Sequence, residues 1–380
     1  MFKKLLIIPD LPPAINIKRS EWEIAKCMTE FCKVYYLSWE VADKQAFFSR
    51  AEVALKSLFP PKISKTQDGV TVVQLPMLRR PLGVARLFNQ WQLKRFLIES
   101  QIDIVLNAST YFYSVPDLRN LIYWYDFRDI PSSRPDSHYG KLIYQHTEQE
   151  VKKADIISAV SYNLIDFIKE RYHRDAHYFP NGATFADFER VGQFEINQNK
   201  AQYGFRGKFI IGYISHFGPW SNLSFAIDVF KALKREMSDA ALFIVGPGEE
   251  VDRLKDKTDS EDIVFTGAIK PKEIHRYFCT LDVGILTSPL SGFRDMSFPI
   301  KIIEYGAARK MAVSTPLSEL KRVKFPNVIF ASPGNIDEWK AALKQARNTE
   351  WQDEWDDQLK QYDWKTICRD FYNVIEQIKS

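Results

Sequence analysis

Phe209-Ile210-Ile211-Gly212-Tyr213 is a short apolar run that predicts a buried strand. A stretch with helical periodicity follows from Leu223 to Glu236, and a second apolar run follows from Ala241 to Val245. Apolar runs at Ile263 to Phe265 and Val283 to Leu286 continue the alternation. Short buried strands separated by amphipathic helices are typical of parallel βαβ units. The second half of the chain therefore predicts a Rossmann-like α/β domain.

The first half of the chain alternates in the same way. Its apolar runs lie at Leu5 to Ile8, Val34 to Leu37, Ile102 to Leu106 and Ile156 to Ala159, with an amphipathic stretch at Trp22 to Phe31. This pattern predicts a second domain of the same α/β class.

The length of 380 residues exceeds one ordinary domain, so two domains are expected. The stretch from Glu189 to Lys208 is polar and without periodicity, and we expect the interdomain linker there. The predicted domains are residues 1–188 and 208–345. Residues 346–380 include a helical pattern from Trp364 to Ile378, which we expect to cross back to the first domain. The predicted fold is thus α/β, with two Rossmann-like domains facing each other across a cleft.

Composition excludes several classes of protein. Apolar residues make up 45% of the chain and charged residues 26%, as in globular proteins. The net charge of +4 is too small to indicate nucleic acid binding. The four cysteines form no CxxC pair and lack histidines at metal-ligand spacing, which disfavours disulfide and zinc scaffolds and favours a reducing cytoplasm. The first apolar run is too short for a signal peptide, and no apolar run approaches the roughly 18 residues of a spanning helix.

In open α/β sheets, ligands bind beyond the carboxyl ends of the strands, so the residues that follow strands are the first candidates. Ser215 and His216 follow the strand at Phe209 to Tyr213 and precede a helix whose free amide groups could receive a phosphate. The alternative is a capped turn that carries His216 on its surface. Gly246 and Gly248 follow the next strand, where the backbone could approach a ligand or simply turn.

Gly267-Ala268-Ile269 follows a third strand of this half. Gly267 and Ile269 could present main-chain groups to a planar base. Formation of a turn would explain the glycine equally well.

Residues 293–308 carry the strongest signal for a ligand site. Pro299 suits the first turn of a helix, and Lys301 and Glu304 lie three positions apart on one helical face. A lysine and the amide ends of a helix attract a pyrophosphate, while a glutamate accepts hydrogen bonds from ribose hydroxyls. The alternative is a surface ion pair worth about 0.2–0.5 kcal/mol, but the surrounding apolar residues favour the ligand site. The other residues placed in this site are Ser297, Phe298 and Ile300.

The segment from Phe298 to Ala308 resembles the proline-x-lysine-x-x-glutamate-tyrosine donor segment of bacterial GT-B glycosyltransferases that build surface polysaccharides. The chain is similar to teichuronic-acid-type transferases and, more distantly, to the xanthan glucuronosyltransferase. Phe179 to Ala183, Leu281 to Gly284 and Arg19 support the resemblance. It implies that Lys301 meets the phosphates and Glu304 the ribose of a nucleotide-diphosphate sugar. It also implies that no cofactor and no catalytic metal is required.

A departure from this family concerns stereochemistry. Many retaining members carry a second glutamate eight positions before the first, where this chain has Met296 beside Asp295, and we therefore expect inversion. An inverting enzyme needs a carboxylate that takes the proton of the acceptor hydroxyl. Asp126, at the end of an apolar strand, is the first candidate and Asp129 the second. The alternative is that Arg128, which lies between them, neutralises both in a structural ion pair.

The acceptor side is expected in the first domain. Arg19 opens the first helix and could bind the phosphate of a lipid-linked acceptor, because a guanidinium pairs with phosphate through two hydrogen bonds. A solvated cation in a first helical turn is the alternative.

The stretch from Gly69 to Ile98 contains no acidic residue. Its cations are Arg79, Arg80, Arg86, Lys94 and Arg95, and Val84, Leu87, Phe88, Trp91 and Ile98 follow helical spacing. Such a helix could lie on an anionic bilayer. The alternative is a helix that buries these apolar residues in the core and exposes a basic face. RNA binding is disfavoured because the aromatic residues share the apolar stripe.

The predicted function is a glycosyltransferase that adds a sugar to a lipid-linked saccharide during capsule, O-antigen or exopolysaccharide assembly. We expect it in the cytoplasm, in peripheral contact with the inner face of the cell membrane and without a nucleic acid partner. A nucleotide-sugar epimerase of the same fold is one alternative, which the basic amphipathic stretch disfavours. A non-catalytic GT-B scaffold subunit is the other, which Lys301 and Glu304 disfavour.

Overall fold

The computed structural model describes residues 3–10, 20–41, 60–66, 68–78, 82–109, 114–132, 134–256, 258, 260–290 and 298–378. The chain divides into two compact units. The first comprises Met1–Pro180 and Cys368–Ser380, and the second comprises Asn181–Ile367.

The first unit is built on a sheet of eight described strands. They are β1 (Lys4–Ile8), β2 (Lys33–Val41), β3 (Lys62–Lys65), β4 (Thr71–Met77), β5 (Ile104–Asn107), β6 (Ile122–Phe127), β7 (Ile156–Ala159) and β8 (His177–Tyr178). The strand order is β3-β4-β2-β1-β5-β6-β7-β8, and the described pairs are parallel except for β3 with β4. The described helices are α1 (Ser20–Met28), α2 (Leu82–Ser100), α3 (His138–Lys153) and α4 (Tyr162–Tyr172). The strands read as apolar runs because a parallel sheet is covered on both faces.

The second unit is built on a sheet of six described strands. They are β9 (Phe209–Ile214), β10 (Ala240–Val245), β11 (Ile263–Phe265), β12 (Val283–Leu286), β13 (Met311–Ser314) and β14 (Val328–Phe330). They are all parallel, in the order β11-β10-β9-β12-β13-β14. This is the doubly wound order, in which the chain reverses direction across the sheet between β9 and β12. The predicted α/β class with two parallel sheets is confirmed.

The described helices of the second unit follow the same chain order. They are α5 (Phe185–Glu189), α6 (Gln193–Gln202), α7 (Leu223–Lys234), α8 (Glu249–Lys255), α9 (Ile274–Thr280), α10 (Ile300–Ala307), α11 (Ser318–Val323), α12 (Ile336–Asn348) and α13 (Glu354–Lys360). Two 3-10 turns, Pro219–Ser221 and Pro271–Glu273, precede α7 and α9.

The C-terminal helix α14 (Trp364–Ile378) belongs to the first unit from Cys368 onwards. The ring of Phe371 stacks on Trp124 of β6, with a centroid distance of 3.6 Å, and on Phe179 at 4.1 Å. Aromatic stacking of this kind adds to the free energy gained from burial. The helix is therefore fixed to the first sheet through its aromatic face.

The structure differs from the predicted linker position. The units divide between Pro180 and Asn181, and the polar stretch from Glu189 to Lys208 contains α6 of the second unit. Asn199 of α6 is buried and donates from Nδ2 to Oγ1 of Thr280, 3.0 Å away. Most of α6 is solvated, so its sequence lacks the apolar periodicity by which a packed helix is recognised.

Candidate functional site

A tyrosine lies at the point where the strand order reverses. Strands β9 and β12 pair at Ile211 with Val283 and at Gly212 with Gly284, before either strand ends. The hydroxyl of Tyr305, on α10, lies 3.2 Å from the carbonyl oxygens of both Gly212 and Ile285 and donates to this pair of strands. Burial raises the pKa of Tyr305, so its hydroxyl stays a neutral donor. Helix α10 is thereby fixed to the crevice where ligands of doubly wound sheets bind.

The structure brings Lys301 and Glu304 together on α10. Nζ of Lys301 lies 2.8 Å from Oε2 of Glu304, and it also lies 5.5 Å from the ring centroid of Phe278. Glu304 is only 6% exposed. A carboxylate at this depth is stable only with a charged or hydrogen-bonding partner. Its burial distinguishes this pair from the ordinary surface pair that the sequence left open.

The N-terminal end of α10 offers a ligand main-chain groups more than side chains. Pro299 precedes the first helical residue, and the amide of Ile300 donates to the carbonyl of Phe298 at 3.0 Å. The ring of Phe298 is buried, with centroids 6.0 Å from Phe325 and 5.9 Å from Tyr362. Phe298 could therefore serve a ligand through its backbone, since its ring is part of the core. Ser297, Met296 and Asp295 lie outside the described residues.

The loop after β9 carries the predicted Ser215 and His216. Ser215 is half-buried and donates from Oγ to the carbonyl of His216 at 3.1 Å, while the side chain of His216 is exposed. The main chain of Phe217 then donates to the carbonyl of Pro247, 2.9 Å away. The loops after β9 and β10 are thus directly hydrogen-bonded.

Two glycines allow this close contact. Gly246 has a φ of +130°, and a Cβ there would lie 1.8 Å from the carbonyl oxygen of Ser215. A Cβ on Gly248, whose φ is +155°, would lie 1.9 Å from the carbonyl oxygen of Phe217. Any side chain at either position would collide with backbone, which cannot move away cheaply.

The third predicted loop joins the same edge. Gly267 forms an isolated antiparallel bridge with Gly246, and the Ile269 side chain beyond it is half-buried. The structure therefore brings together the predicted residues that follow β9, β10 and β11 at the carboxyl edge of the second sheet.

Two residues of this edge were given no role from the sequence. Tyr305 joins α10 to β9 and β12, and Thr287, directly after β12, donates from Oγ1 to the carbonyl oxygens of Ser221 at 2.9 Å and Asn222 at 3.3 Å. The rule that residues after strands line the site could have found Thr287. The role of Tyr305 depends on which strands are neighbours, which the sequence does not state.

Asp126 of the first unit lies at the end of β6 without exposed side-chain surface. Oδ2 accepts from Nε of Arg128 at 2.5 Å, and Oδ1 accepts from Oγ of Ser158 at 2.6 Å. Ser158 in turn accepts from the indole of Trp124 at 2.6 Å. Burial raises the pKa of Asp126, against the opposing effects of Arg128 and Ser158. This geometry favours the structural ion pair over the predicted role as a base that contacts substrate.

Asp129 has a different environment. Its side chain is half-buried, and Oδ1 accepts from the main chain of Ile130 at 2.9 Å. It therefore keeps solvent-accessible surface that Asp126 lacks. Arg19, the predicted acceptor-binding cation, lies outside the described residues.

Helix α2 exposes the apolar stripe that the sequence predicted. Val84, Leu87, Trp91 and Ile98 are 58%, 70%, 49% and 57% exposed. The opposite side of the helix, at Ala85, Leu93, Phe96 and Leu97, is buried. These four residues thus lie on the solvent face of α2, and the alternative that they face the core is wrong for them. Phe88, the fifth residue of the predicted stripe, is half-buried.

Cations of α2 also reach the surface. Lys94 is exposed, Arg95 pairs with Glu99 at 2.8 Å, and Arg86 donates to Oε1 of Gln149 at 2.5 Å. Arg79 and Arg80 lie outside the described residues. Among the helices that the structure describes, none combines the length and hydropathy needed to span a membrane.

Comparison with known proteins agrees with this geometry. The family model for group 1 glycosyl transferases matches residues 208–348, which include the β9, β12 and α10 site. The putative teichuronic acid biosynthesis glycosyltransferase TuaH of Bacillus subtilis (strain 168) is 24% identical over 240 residues, which cover 57% of each chain. The matched region thus spans little more than half the length of this relative.

Solved structures match the whole chain in fold. Anabaena Alr3699/HepE, in complex with UDP and glucose, has a TM-score of 0.66 and 14% identity, covering 99% of this chain and 100% of that one. Sucrose-phosphate synthase from Thermosynechococcus elongatus has a TM-score of 0.71 and 11% identity, covering 100% and 99%. Residues 208–348 are therefore similar to the group 1 glycosyl transferases, and the chain as a whole has the fold of the GT-B glycosyltransferases.

Proposed function

We propose that this chain is a glycosyltransferase that moves a sugar from a nucleotide-diphosphate donor to a lipid-linked saccharide acceptor in capsule, O-antigen or exopolysaccharide assembly. The observation that carries the proposal is the Lys301–Glu304 pair, with its buried carboxylate, inside the matched domain and next to the crevice between β9 and β12. The relative from Bacillus subtilis, whose name refers to teichuronic acid biosynthesis, supports the polysaccharide context. The Anabaena structure, in complex with UDP and glucose, supports a uridine nucleotide as the first donor to test.

The pair can bind a donor without being broken. An ammonium has three N–H donors, and Lys301 uses one of them on Oε2 of Glu304. The remaining N–H groups are available for the diphosphate, and the other carboxylate oxygen can accept from a ribose hydroxyl. Positive charge next to the departing diphosphate stabilises the negative charge that develops there during transfer. The reaction we propose is therefore independent of a metal ion.

Inversion at the transferred carbon requires a carboxylate that deprotonates the acceptor hydroxyl. Both candidates lie at the carboxyl end of β6, and Asp129 has exposed surface whereas the carboxylate of Asp126 has none. We therefore assign the base to Asp129. In this assignment Asp126 is a positioning residue that holds Arg128 and the end of β6 in place.

The exposed face of α2 supports a peripheral location of the protein on the inner, cytoplasmic face of the membrane. Leu87 and Trp91 offer apolar surface to the acyl boundary of a bilayer, and Lys94 and Arg95 next to them can pair with anionic headgroups. A lipid-linked acceptor is embedded in the same bilayer. Attachment through α2 would place the enzyme where this acceptor is.

A donor screen tests the proposal. Saturation-transfer NMR with UDP-, GDP- and ADP-sugars should identify one nucleotide whose ribose and sugar protons receive saturation from the protein. Incubation of that donor with a lipid-linked saccharide should then release the nucleoside diphosphate and extend the saccharide by one unit. Conversion of the donor into an isomeric nucleotide sugar without an acceptor would instead identify an epimerase. Binding of none of these donors would contradict the proposal.

A further inference from the structure

Trp220 is an exposed aromatic residue beside the candidate donor site. It lies in the 3-10 turn Pro219–Ser221, between β9 and α7, and 44% of its surface is exposed. Large aromatic side chains are usually buried to a high degree. The exposed indole lies in a loop at the carboxyl edge of the sheet, which is where residues that contact ligands concentrate.

Buried hydrogen bonds fix the turn that carries this indole. The carbonyl oxygen of Ser221 accepts from the hydroxyl of Tyr213 at 2.7 Å and from Oγ1 of Thr287 at 2.9 Å. The amide of Gly218 donates to Oγ of Ser221 at 3.2 Å, and the amide of Ser221 donates to the carbonyl of Gly218 at 2.8 Å. The turn is thus anchored to β9 and to the segment after β12. An aromatic surface on a rigid turn loses little conformational entropy when a ligand packs against it.

A glycine leaves room for the indole. A Cβ on Gly218 would lie 2.5 Å from Cη2 of Trp220 and 2.7 Å from Cζ2 and Cζ3. The φ of Gly218 is −134°, which is extended backbone that any residue adopts. A side chain at this position would therefore meet the ring above it, whereas the backbone conformation would accept any residue. A side chain at 218 would push the indole away from its observed place.

We infer that the indole of Trp220 stacks on a pyranose ring and helps to select the sugar. This inference rests on the proposed function and deepens it. One face of a pyranose presents carbon-bound hydrogens that pack on an aromatic ring, while the hydroxyls at its edge stay free for hydrogen bonds. Because the turn adjoins the crevice between β9 and β12, the pyranose is either the sugar of the donor or a sugar of the acceptor.

Saturation-transfer NMR distinguishes these two sources. In the first arm, UDP, GDP, UDP-glucose, UDP-galactose, UDP-N-acetylglucosamine and GDP-mannose are titrated into wild-type protein and into Trp220→Ala. In the second arm, methyl pyranosides are titrated into both proteins after saturation with UDP or GDP. Trp220→Phe retains a ring and provides a milder variant should the alanine protein unfold.

Trp220→Ala should keep the affinity for UDP or GDP and bind one class of pyranose about tenfold more weakly, as loss of an aromatic stacking partner does. Weaker saturation of the sugar protons in the first arm would show that Trp220 stacks on the donor sugar. Weaker saturation in the second arm would show that it stacks on the acceptor sugar. Gly218→Ala should reproduce the loss with the indole still present. Phe194→Ala, which removes a 79% exposed ring from α6 of the same unit, should change neither arm.

The outcomes separate this inference from the function on which it rests. Unchanged pyranose binding by Trp220→Ala in both arms, with normal nucleotide binding, overturns the role of Trp220 alone. An equal loss of UDP or GDP affinity also overturns it, because the indole would then contact the nucleotide. Wild-type protein that binds no nucleotide and no nucleotide sugar overturns the proposed function and this inference with it.

Discussion

The hydroxyl of Tyr305 donates to the carbonyl oxygen of Gly212 across 3.2 Å and so joins α10, which carries Lys301 and Glu304, to the central strand β9. The ring of the same tyrosine occupies the space above Gly284, where a Cβ would lie 2.5 Å from three ring carbons. The two charged residues therefore depend on this contact for their position relative to the sheet.

Gly284→Ala should displace Tyr305 and, with it, α10. Overpacking of a well-packed core costs about 1–3 kcal/mol, so the midpoint of thermal unfolding should fall and nucleotide affinity should fall with it. Gly334→Ala is the matched control, because no atom lies within 4 Å of its Cβ position, although its φ of +76° adds backbone strain. That control should lower the midpoint without weakening nucleotide binding. Normal nucleotide affinity in folded Gly284→Ala would contradict the proposed dependence.

Asp129→Asn should strongly reduce transfer while donor binding persists, because the amide cannot accept the proton of the acceptor. Loss of a general base typically lowers turnover about 10²–10⁴-fold. Asp126→Asn is the companion variant. It should lower the midpoint of thermal unfolding, since the half-buried guanidinium of Arg128 loses its charged partner, and it should reduce turnover less than Asp129→Asn.

The assignment is decided by turnover at saturating donor, with circular dichroism as the check on folding. If Asp126→Asn is folded but inactive while Asp129→Asn is active, the general base is Asp126. Activity in both variants would place the catalytic carboxylate elsewhere.

A variant in which glutamine replaces Arg86, Lys94 and Arg95 should bind anionic vesicles more weakly, because each cation near an anionic surface contributes about 1 kcal/mol. Leu87→Ser and Trp91→Ser should weaken it through loss of apolar contact, and high salt should mimic only the loss of charge. Phe194→Ser removes an exposed ring elsewhere and should bind as wild type. Flotation with phosphatidylglycerol vesicles measures the effect. Wild-type protein that stays unbound at low salt would show that α2 has no such role.

Transfer should continue in EDTA, because the proposed stabilisation of the diphosphate comes from Lys301 and main-chain amides. The measurement is the initial rate with and without chelator, followed by addition of magnesium or manganese. A loss of activity that either ion restores would mean that a metal stabilises the leaving diphosphate.

The sequence predicted the elements that carry a short apolar run or a clear apolar stripe. The runs Ile263 to Phe265 and Val283 to Leu286 are strands with these bounds, and the helix predicted from Leu223 extends to Lys234. Helix α6 was missed because most of its residues are exposed and its one buried side chain, Asn199, is polar. Contacts between residues that depend on the order of the strands could not be predicted from the sequence either. Asp126 meets Ser158 only because β6 and β7 are neighbours, and their hydrogen bond changes the role expected of this carboxylate.

The proposed donor site depends on the Lys301–Glu304 pair, and isothermal titration calorimetry tests the role of this pair most directly. Lys301→Ala should lose affinity for UDP or GDP but little for the free nucleoside, whereas Glu304→Ala should weaken binding of both. Removal of a charged hydrogen-bond partner costs about 1.5–3 kcal/mol, which corresponds to a loss of affinity of roughly 10–150-fold.

The matched control is the Lys340–Asp337 pair on α12, which has the same spacing and the same 2.8 Å distance, with Asp337 on the surface. Alanine at Lys340 or Asp337 should leave nucleotide affinity unchanged. The expected result is the pair of distinct losses at Lys301 and Glu304. Wild-type affinity for UDP and GDP in both Lys301→Ala and Glu304→Ala would contradict it.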